Sequence, residues 1–396
     1  MSVLRPPARG FTEAELALRT ERAQSMMRAQ EVDALLLTTE AQVRYFTGFL
    51  TQFWQSPTRP WFLLVPLTGK PIAVIPGIGV AGMETTWIDD IRSWSSPQPG
   101  DDGISLLVQT IRELPRRFGR LGATLGIESV LRMPVLDFQR LQAELGATEV
   151  VDCATEVLQL CSVKSGSEID KIRYVCELAS DSFNALPEIV HSGLSEREIL
   201  RRMRIDLLQR GADHTPYIVS ASGPDGYGDI IMGPSDRIVT AGDVMIIDTG
   251  TVYDGYFCDF DRNYAFEQAS EKARRAYDTV YRSTDAGFAA ARPGATTTDV
   301  WQAMWSVLEK GGARGNDVGR MGHGLGAQLT EWPSLTATDR TPLQAGMVIT
   351  LEPGMEFESG KMMVHEENIV ITEDGAEMLS KRAAAEIPVI GTQAPE

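Results

Sequence analysis

Apolar residues recur along this chain with two different periods, and the alternation between them marks out its elements. Residues 12–31 set apolar groups at helical spacing among charged ones, with Thr12 as an N-cap. A short apolar run at 32–37 follows as a buried strand, and further strands are predicted at 62–65, 72–75 and 124–127. Residues 102–118 read as a helix. Strands and helices interleaved in this way predict a compact α/β domain. Residues 151–164 are the expected connector, and Ser165 or Ser167 then caps a long helix over 168–186 that opens a second domain.

The second half reads differently. An apolar strand at 244–247 ends on Asp248, and Asp254-Gly255 is a dipeptide that favours a tight hairpin turn. The chain returns as a strand through 256–261, which carries Asp259. Two more apolar strands are predicted at 348–352, ending on Glu352, and at 364–372, with Glu366 inside. Residues 292–299 form a turn and N-cap ahead of a helix over 300–310. Trp301 and Trp305, four apart, belong to the core face of that helix.

Chemistry enters with the acids. The hairpin brings Asp248 and Asp259 towards one point, where two carboxylates repel each other and lose water. A hard divalent cation relieves both costs. Judged alone, this stretch is equally a surface hairpin with acidic ends. Downstream, His323 lies in the glycine-rich GHGLG at 322–326, a setting expected to let backbone approach a substrate. Two Asp, one His and two Glu make a candidate cage for two metals, because four carboxylates balance two divalent cations. Buried without metal, they would be very costly.

Length and charge narrow the class. At 396 residues the chain is too long for one ordinary core, so two domains are expected. A net charge of −17 argues against nucleic acid or an anionic membrane as partner. Cys153, Cys161, Cys176 and Cys258 show no CxxC spacing, so reduced thiols are the plain reading. The first sixteen residues hold no apolar signal core, and no run approaches a membrane span, so a cytoplasmic protein is expected.

The phrases IDTGTVYDGYFCDFDR, GHGLG, ITLEPGM and HEENIVITEDG, with SASGPDG and PSDRIVTAGD ahead of them, resemble the creatinase, aminopeptidase P and prolidase family. The resemblance implies an α/β N-terminal domain at 10–155 and an α+β pita-bread domain at 164–390, a curved antiparallel sheet covered by helices. It makes Asp248, Asp259, His323, Glu352 and Glu366 the metal ligands, with Asp259 and Glu366 bridging two divalent ions and Glu352 moving the proton. Manganese is the first choice, with cobalt, iron and zinc as alternatives. A homodimer is implied, in which Trp54, Arg59 and Trp61, from an aromatic stretch read as a loop, touch the partner's substrate. Arg59 would suit a carboxylate. The bland alternative is that these residues only pack the domain and the dimer contact.

The departures weigh against a simple peptidase. Histidines that such peptidases place before the first aspartate and seven beyond the metal-binding histidine are here Ile231 and Thr330, and an arginine two before the last glutamate is Val364. Asp261 shares parity with Asp259 and is read as an acceptor behind the ligands in preference to an extra ligand. His365 has the opposite parity to Glu366 and is expected to pack away from the metals, His214 to lie near the cleft and His191 at the surface. Two functions follow: hydrolysis of C–N bonds in small peptides, as in a Xaa-Pro dipeptidase or aminopeptidase P, or a specialised reaction on a small molecule. For the second, Glu331-Trp332-Pro333 resembles the dimethylsulfoniopropionate lyases of this fold, and ectoine and creatine hydrolases are the other precedents. A catalytically dead binding protein is the third reading, and the complete cage argues against it.

Overall fold

A computed structural model describes residues 5–315 and 319–391. The chain divides into two compact units, one spanning Ala8–Cys161 and the other formed by the residues before Ala8 and from Ser162 on.

In the first unit six strands form one mixed sheet in the order Asp90–Trp94, Ile72–Pro76, Phe62–Pro66, Ala34–Leu37, Arg120–Ala123, Glu149–Asp152. The central strands are buried on both faces, and their alternation feeds two cores. Leu35, Leu37, Leu63 and Val65 pack with residues of the helices Glu13–Ala29 and Glu40–Thr47. Ala34, Leu36, Phe62 and Leu64 pack with residues of Ile104–Glu113 and Val135–Leu145. Thr12 caps the first helix by accepting the Glu15 N–H.

The strand expected at 124–127 lies four residues earlier, at Arg120–Ala123. The Asp33 carboxylate accepts N–H groups from Arg117, Phe118 and Gly119 and sets where the strand begins. Asp152 accepts the Leu125 N–H beyond its end, and Ile127 is left exposed. The expected connector is also structured: most of it is a helix, Ala154–Ser162.

In the second unit, Ser165 caps the helix Gly166–Ile189 through a reciprocal pair with Glu168. One sheet runs Val389–Ile390, Phe260–Phe266, Asp243–Tyr253, His214–Pro224, and a second runs Glu331–Ser334, His323–Gly324, Val348–Leu351, Glu367–Ile371, Ala376–Met378. Apart from the parallel Val389–Ile390 edge, the pairings within both sheets are antiparallel. Phe183 packs on Phe260 from the long helix, while Tyr277, Val280, Val300 and Met304 from Glu271–Ala290 and Thr297–Lys310 build the main core with Ile246, Ile349 and Ile369. This is the pita-bread arrangement of mixed sheets and covering helices. Trp301 and Trp305 stack at 5.9 Å and pack partly buried against that core.

Candidate metal centre

The hairpin turn forms as expected. Asp254 and Gly255 both take positive φ, 45° and 66°, between Tyr253 and Tyr256. Asp248, however, does not end its strand. It lies in the middle of Asp243–Tyr253, paired on one side with Val219 and on the other with Asp261. The Thr249–Tyr253 segment continues the ladder because both neighbouring strands still offer it partners.

Asp259 reaches the same place from a break between Tyr256–Phe257 and Phe260–Phe266. That break is held by Asn368. The Asn368 side chain accepts the Asp259 N–H at 2.9 Å and donates to the Asp259 carbonyl, as a neighbouring strand would. Glu366 also lies in a break, between Lys361–Val364 and Glu367–Ile371, rather than inside a strand. Glu352 follows directly on Val348–Leu351, its N–H bonded to Met321 O at 3.0 Å. Four of the five candidate ligands thus stand at strand ends or breaks, where a side chain escapes the alternation of the pleat.

The glycines beside His323 serve the fold. Gly322 has φ 130°, and a Cβ there would lie 2.2 Å from Thr350 O; at Gly324 it would lie 2.3 Å from Trp332 O. Neighbouring strands, not a substrate, require the two glycines. The His323 N–H donates to Thr350 Oγ1 at 3.2 Å, and its Nδ1 bonds Gly324 O at 2.8 Å. The carbonyl puts the proton on Nδ1, so the Nε2 lone pair faces Asp259 Oδ2, 3.4 Å away.

Asp259, His323 and Glu366 are buried, with one ligand atom from each all within 4.8 Å of one another. Asp248 and Glu352 keep partial exposure beside them. Burial pushes the Asp248 carboxyl up to about 7, held back by the Tyr217 hydroxyl. Burial, then the Asp248 charge, pushes Glu352 up to about 8. Asp259 and Glu366 are pushed well up by burial and by the other acids. Burial, then the Arg320 charge, lowers His323 to about 4, so its imidazole is neutral. Asp248 Oδ1 and Glu366 Oε1 are buried with no hydrogen-bond partner. Lone pairs facing one another, orphaned oxygens and acids that resist ionising are the pattern a divalent cation would resolve. The residues present fit such a group.

A pH dependence follows. Asp248 rises from 3.8 to about 7 and Glu352 from 4.5 to about 8, so folding favours their protonated forms. Their contribution to stability is complete below about pH 4 and is lost as pH rises through about 7 to 8. Scanning calorimetry of chelator-treated protein is therefore expected to show this loss, and added manganese to raise Tm more at about pH 8 than at about pH 6.

The aromatic stretch is not an exposed loop. The short 3-10 turn Gln52–Gln55 rotates Trp54 inward. Trp54 is 8% and Trp61 1% exposed, and their rings lie 5.6 Å apart in the core of the first unit. Arg59 is half-buried, with its Nε donating to Ser96 O at 3.3 Å. Packing against Leu63, Val65 and Phe49 explains these tryptophans without a substrate. Ile231 is 71% exposed, and the Asp229 carboxylate shapes its turn. Thr330 is exposed and accepts a hydrogen bond from Arg320.

Asp261 is 1% exposed directly across from Asp248, with the Asn263 amide 3.3 Å away. Burial and the Asp248 charge push it well up. His365 packs away from the cage, between the edges of Tyr277 and Tyr281, bonded to Thr284 and Arg382. His214 begins the strand His214–Pro224, half-buried, and His191 bonds the Ser192 carbonyl.

Three residues escaped the sequence reading. Tyr217, on the neighbouring strand, opposes the upward push on the Asp248 carboxyl, and nothing local announces it. Arg320 is a lone cation three residues before His323. Asn368 carried a usable signal, a polar side chain at the head of the apolar run 369–371, which once buried must be satisfied. Asn368→Ala is expected to weaken metal affinity by about 10- to 100-fold, the usual cost of losing a residue that orients a ligand. Competition with a fluorescent chelator measures it.

The cage and the sheets around it define a metal-dependent peptidase architecture. The chain belongs to metallopeptidase family M24, whose profile matches residues 170–373, and residues 19–163 match the creatinase/prolidase N-terminal domain. It is a metal-dependent hydrolase. An uncharacterized peptidase of Staphylococcus saprophyticus is 26% identical over 368 residues, covering 92% of this chain and 99% of that protein. The Xaa-Pro dipeptidase of Pyrococcus furiosus is 29% identical over 264 residues, 65% of this chain and 74% of that protein. The crystal structure of dipeptidase PepE from Mycobacterium ulcerans superposes with a TM-score of 0.82 at 28% identity, covering 96% of this chain and all (100%) of that one. A prolidase from Thermococcus sibiricus shares the fold, with a TM-score of 0.84 at 23% identity over 96% of this chain and 100% of its own. Among the described residues no helix is long and apolar enough to cross a membrane.

Proposed function

We propose that this protein is a dinuclear peptidase that cleaves Xaa-Pro dipeptides. The observation that carries the reading is the His323 lone pair aimed at Asp259 inside a cluster of four acids pushed up by burial. The dipeptidases of P. furiosus and M. ulcerans supply the substrate class. Asp248, Asp259, His323, Glu352 and Glu366 would hold two divalent ions, manganese first and cobalt, iron or zinc otherwise. Held there, such ions supply Lewis-acid activation of water and of a substrate carbonyl.

The chain's own groups do the rest. Glu352 is half-buried, and burial makes its carboxylate a ready proton acceptor. It takes a proton from the attacking water at Oε and delivers it to the departing imino nitrogen. Tyr217 holds the Asp248 carboxyl back from a still higher pKa, and Asn368 fixes the Asp259 main chain. Asp261, directly across from Asp248, accepts from the Asn263 amide and would support the ligands without holding metal itself. Substrate contacts by Arg59 across a homodimer remain part of the proposal, whereas Trp54 and Trp61 are assigned to packing. Four free cysteines suit a reducing compartment such as the cytoplasm.

The test is proline release from Xaa-Pro dipeptides by manganese-loaded protein. Release that stops on chelation and returns with metal supports the reading; metal-loaded protein that releases none contradicts it. One observation favours the specialised enzyme instead. Position 231 is an exposed isoleucine and 330 an exposed threonine, so neither supplies an imidazole to a peptide. Turnover of dimethylsulfoniopropionate, ectoine or creatine, with none of dipeptides, would select that second reading.

A further inference from the structure

Arg320 lies on the segment that delivers His323 to the cage. This segment is pinned on both sides: the Met321 N–H donates to Leu335 O at 2.9 Å, and the Met321 carbonyl accepts the Glu352 N–H at 3.0 Å. Arg320 therefore leaves the backbone one residue from a point tied to the main chain of Glu352. Its half-exposed side chain is turned towards two hydroxyls. Nη2 donates to Thr330 Oγ1 at 3.3 Å and Nη1 to Ser334 Oγ at 3.5 Å.

Both bonds are long, and both partners are neutral. A guanidinium carries five N–H donors and a permanent charge. Among the described residues no carboxylate forms an ion pair with Arg320. Its charge nevertheless reaches the cage, where it opposes the upward push on Asp259 and Glu352 and helps keep His323 neutral. With two divalent cations against four carboxylates the cage is balanced, and the Arg320 charge is left over. A half-exposed, oriented guanidinium without an ion pair among the described residues, beside such a centre, is equipped to take an anion from solution.

We propose that Arg320 is the carboxylate-recognition residue of this site, its guanidinium oriented by Thr330 and Ser334 to bind a free carboxylate next to the bond that is cut. The inference rests on the dipeptidase reading and gives its choice of dipeptides a physical cause, since a longer peptide or an amide presents no carboxylate there. It also gives Thr330 a role, because the hydroxyl at the position of the missing histidine aims a cation.

Two readouts test it. Calorimetry of the manganese-loaded protein compares L-proline, the carboxylate-bearing product, with L-prolinamide; turnover compares Ala-Pro with its C-terminal amide. The wild type is expected to bind proline at least about tenfold more tightly than prolinamide, as a charge-assisted bidentate pair requires. Arg320→Gln should weaken proline by about 10- to 100-fold with manganese content unchanged. Ala-Pro turnover should fall through KM more than kcat, and the preference for acid over amide should shrink in proportion. Arg320→Lys, which keeps the charge without the planar fork, should recover part of the loss. Equal binding of proline and prolinamide by the wild type, or unchanged proline affinity in Arg320→Gln, overturns the proposal. If the wild type cleaves no dipeptide the peptidase reading fails, and the two titrations still decide the role of Arg320.

Discussion

Asp259→Asn is expected to lower kcat/KM on an Xaa-Pro dipeptide by at least about a thousandfold, because it removes several kcal/mol of charge stabilisation from the transition state. Asp259 is buried, 3.4 Å from the His323 Nε2, and its backbone is clamped by Asn368. The amide keeps the shape of the carboxylate and loses the charge that two cations would share. Without metal, the same substitution removes one of the acids that push Glu366 up. The metal-free variant should therefore be as stable as the wild type or more so, even as activity collapses. Steady-state kinetics with metal and thermal melts with chelator make the pair of measurements. A variant that retains most of its activity would contradict the proposal that Asp259 holds metal.

Glu367→Ala is expected to cost about 3–5 kcal/mol of stability, the usual result of removing one partner from a buried ion pair. Glu367 is 0% exposed and accepts from Arg262 Nη2 at 3.0 Å, from Arg382 Nη1 at 3.2 Å, from the Ala383 N–H at 2.9 Å and from the Ser380 hydroxyl. Arg262 is buried in turn, and its Nη1 donates to the carbonyls of Glu366 and Asp261 at 3.0 and 2.6 Å. Truncating Glu367 strands a buried guanidinium and loosens the main chain that carries Glu366. A fall in Tm on the order of 10 °C follows for a unit of this size. Glu367→Gln keeps several of these bonds and should lose less. A shift under about 2 °C for the alanine variant would mean that the network contributes no more than a surface pair.

The centre was legible where it depends on local sequence. Asp254-Gly255 announces its turn because both residues accept positive φ, and GHGLG is conspicuous because its glycines leave no room for side chains. Glu352 could be placed because an apolar strand stops just before it. Where position depends on register between distant strands, the reading failed. Asp248 looks like a strand end because it is polar, yet partners on both sides extend the ladder past it. Parity puts Asp261 on the side of Asp259, and the pairing sets it beside Asp248 on one face of the sheet; that it meets Asp248 in particular is a matter of register.

The aromatic stretch misled for a related reason. A run of Phe, Trp, Pro and Arg has the composition of a binding loop, and only the tertiary structure shows the short turn that buries Trp54. Asn368 and Tyr217 lie far in sequence from the acids they serve, and Arg320, though three residues from His323, belongs to no motif of its own. Arg262 and Glu367 adjoin the predicted ligands, but their pairing across 105 positions is invisible to any local pattern.

The most direct test of the account is to count the metal. Protein freed of metal, dialysed to equilibrium against manganese and analysed by mass spectrometry for manganese per chain, should carry two ions per chain in the wild type and clearly fewer in Asp259→Asn. Folded wild-type protein that holds no manganese, and none of cobalt, iron or zinc under the same conditions, would contradict the cage and with it the hydrolytic function built on it.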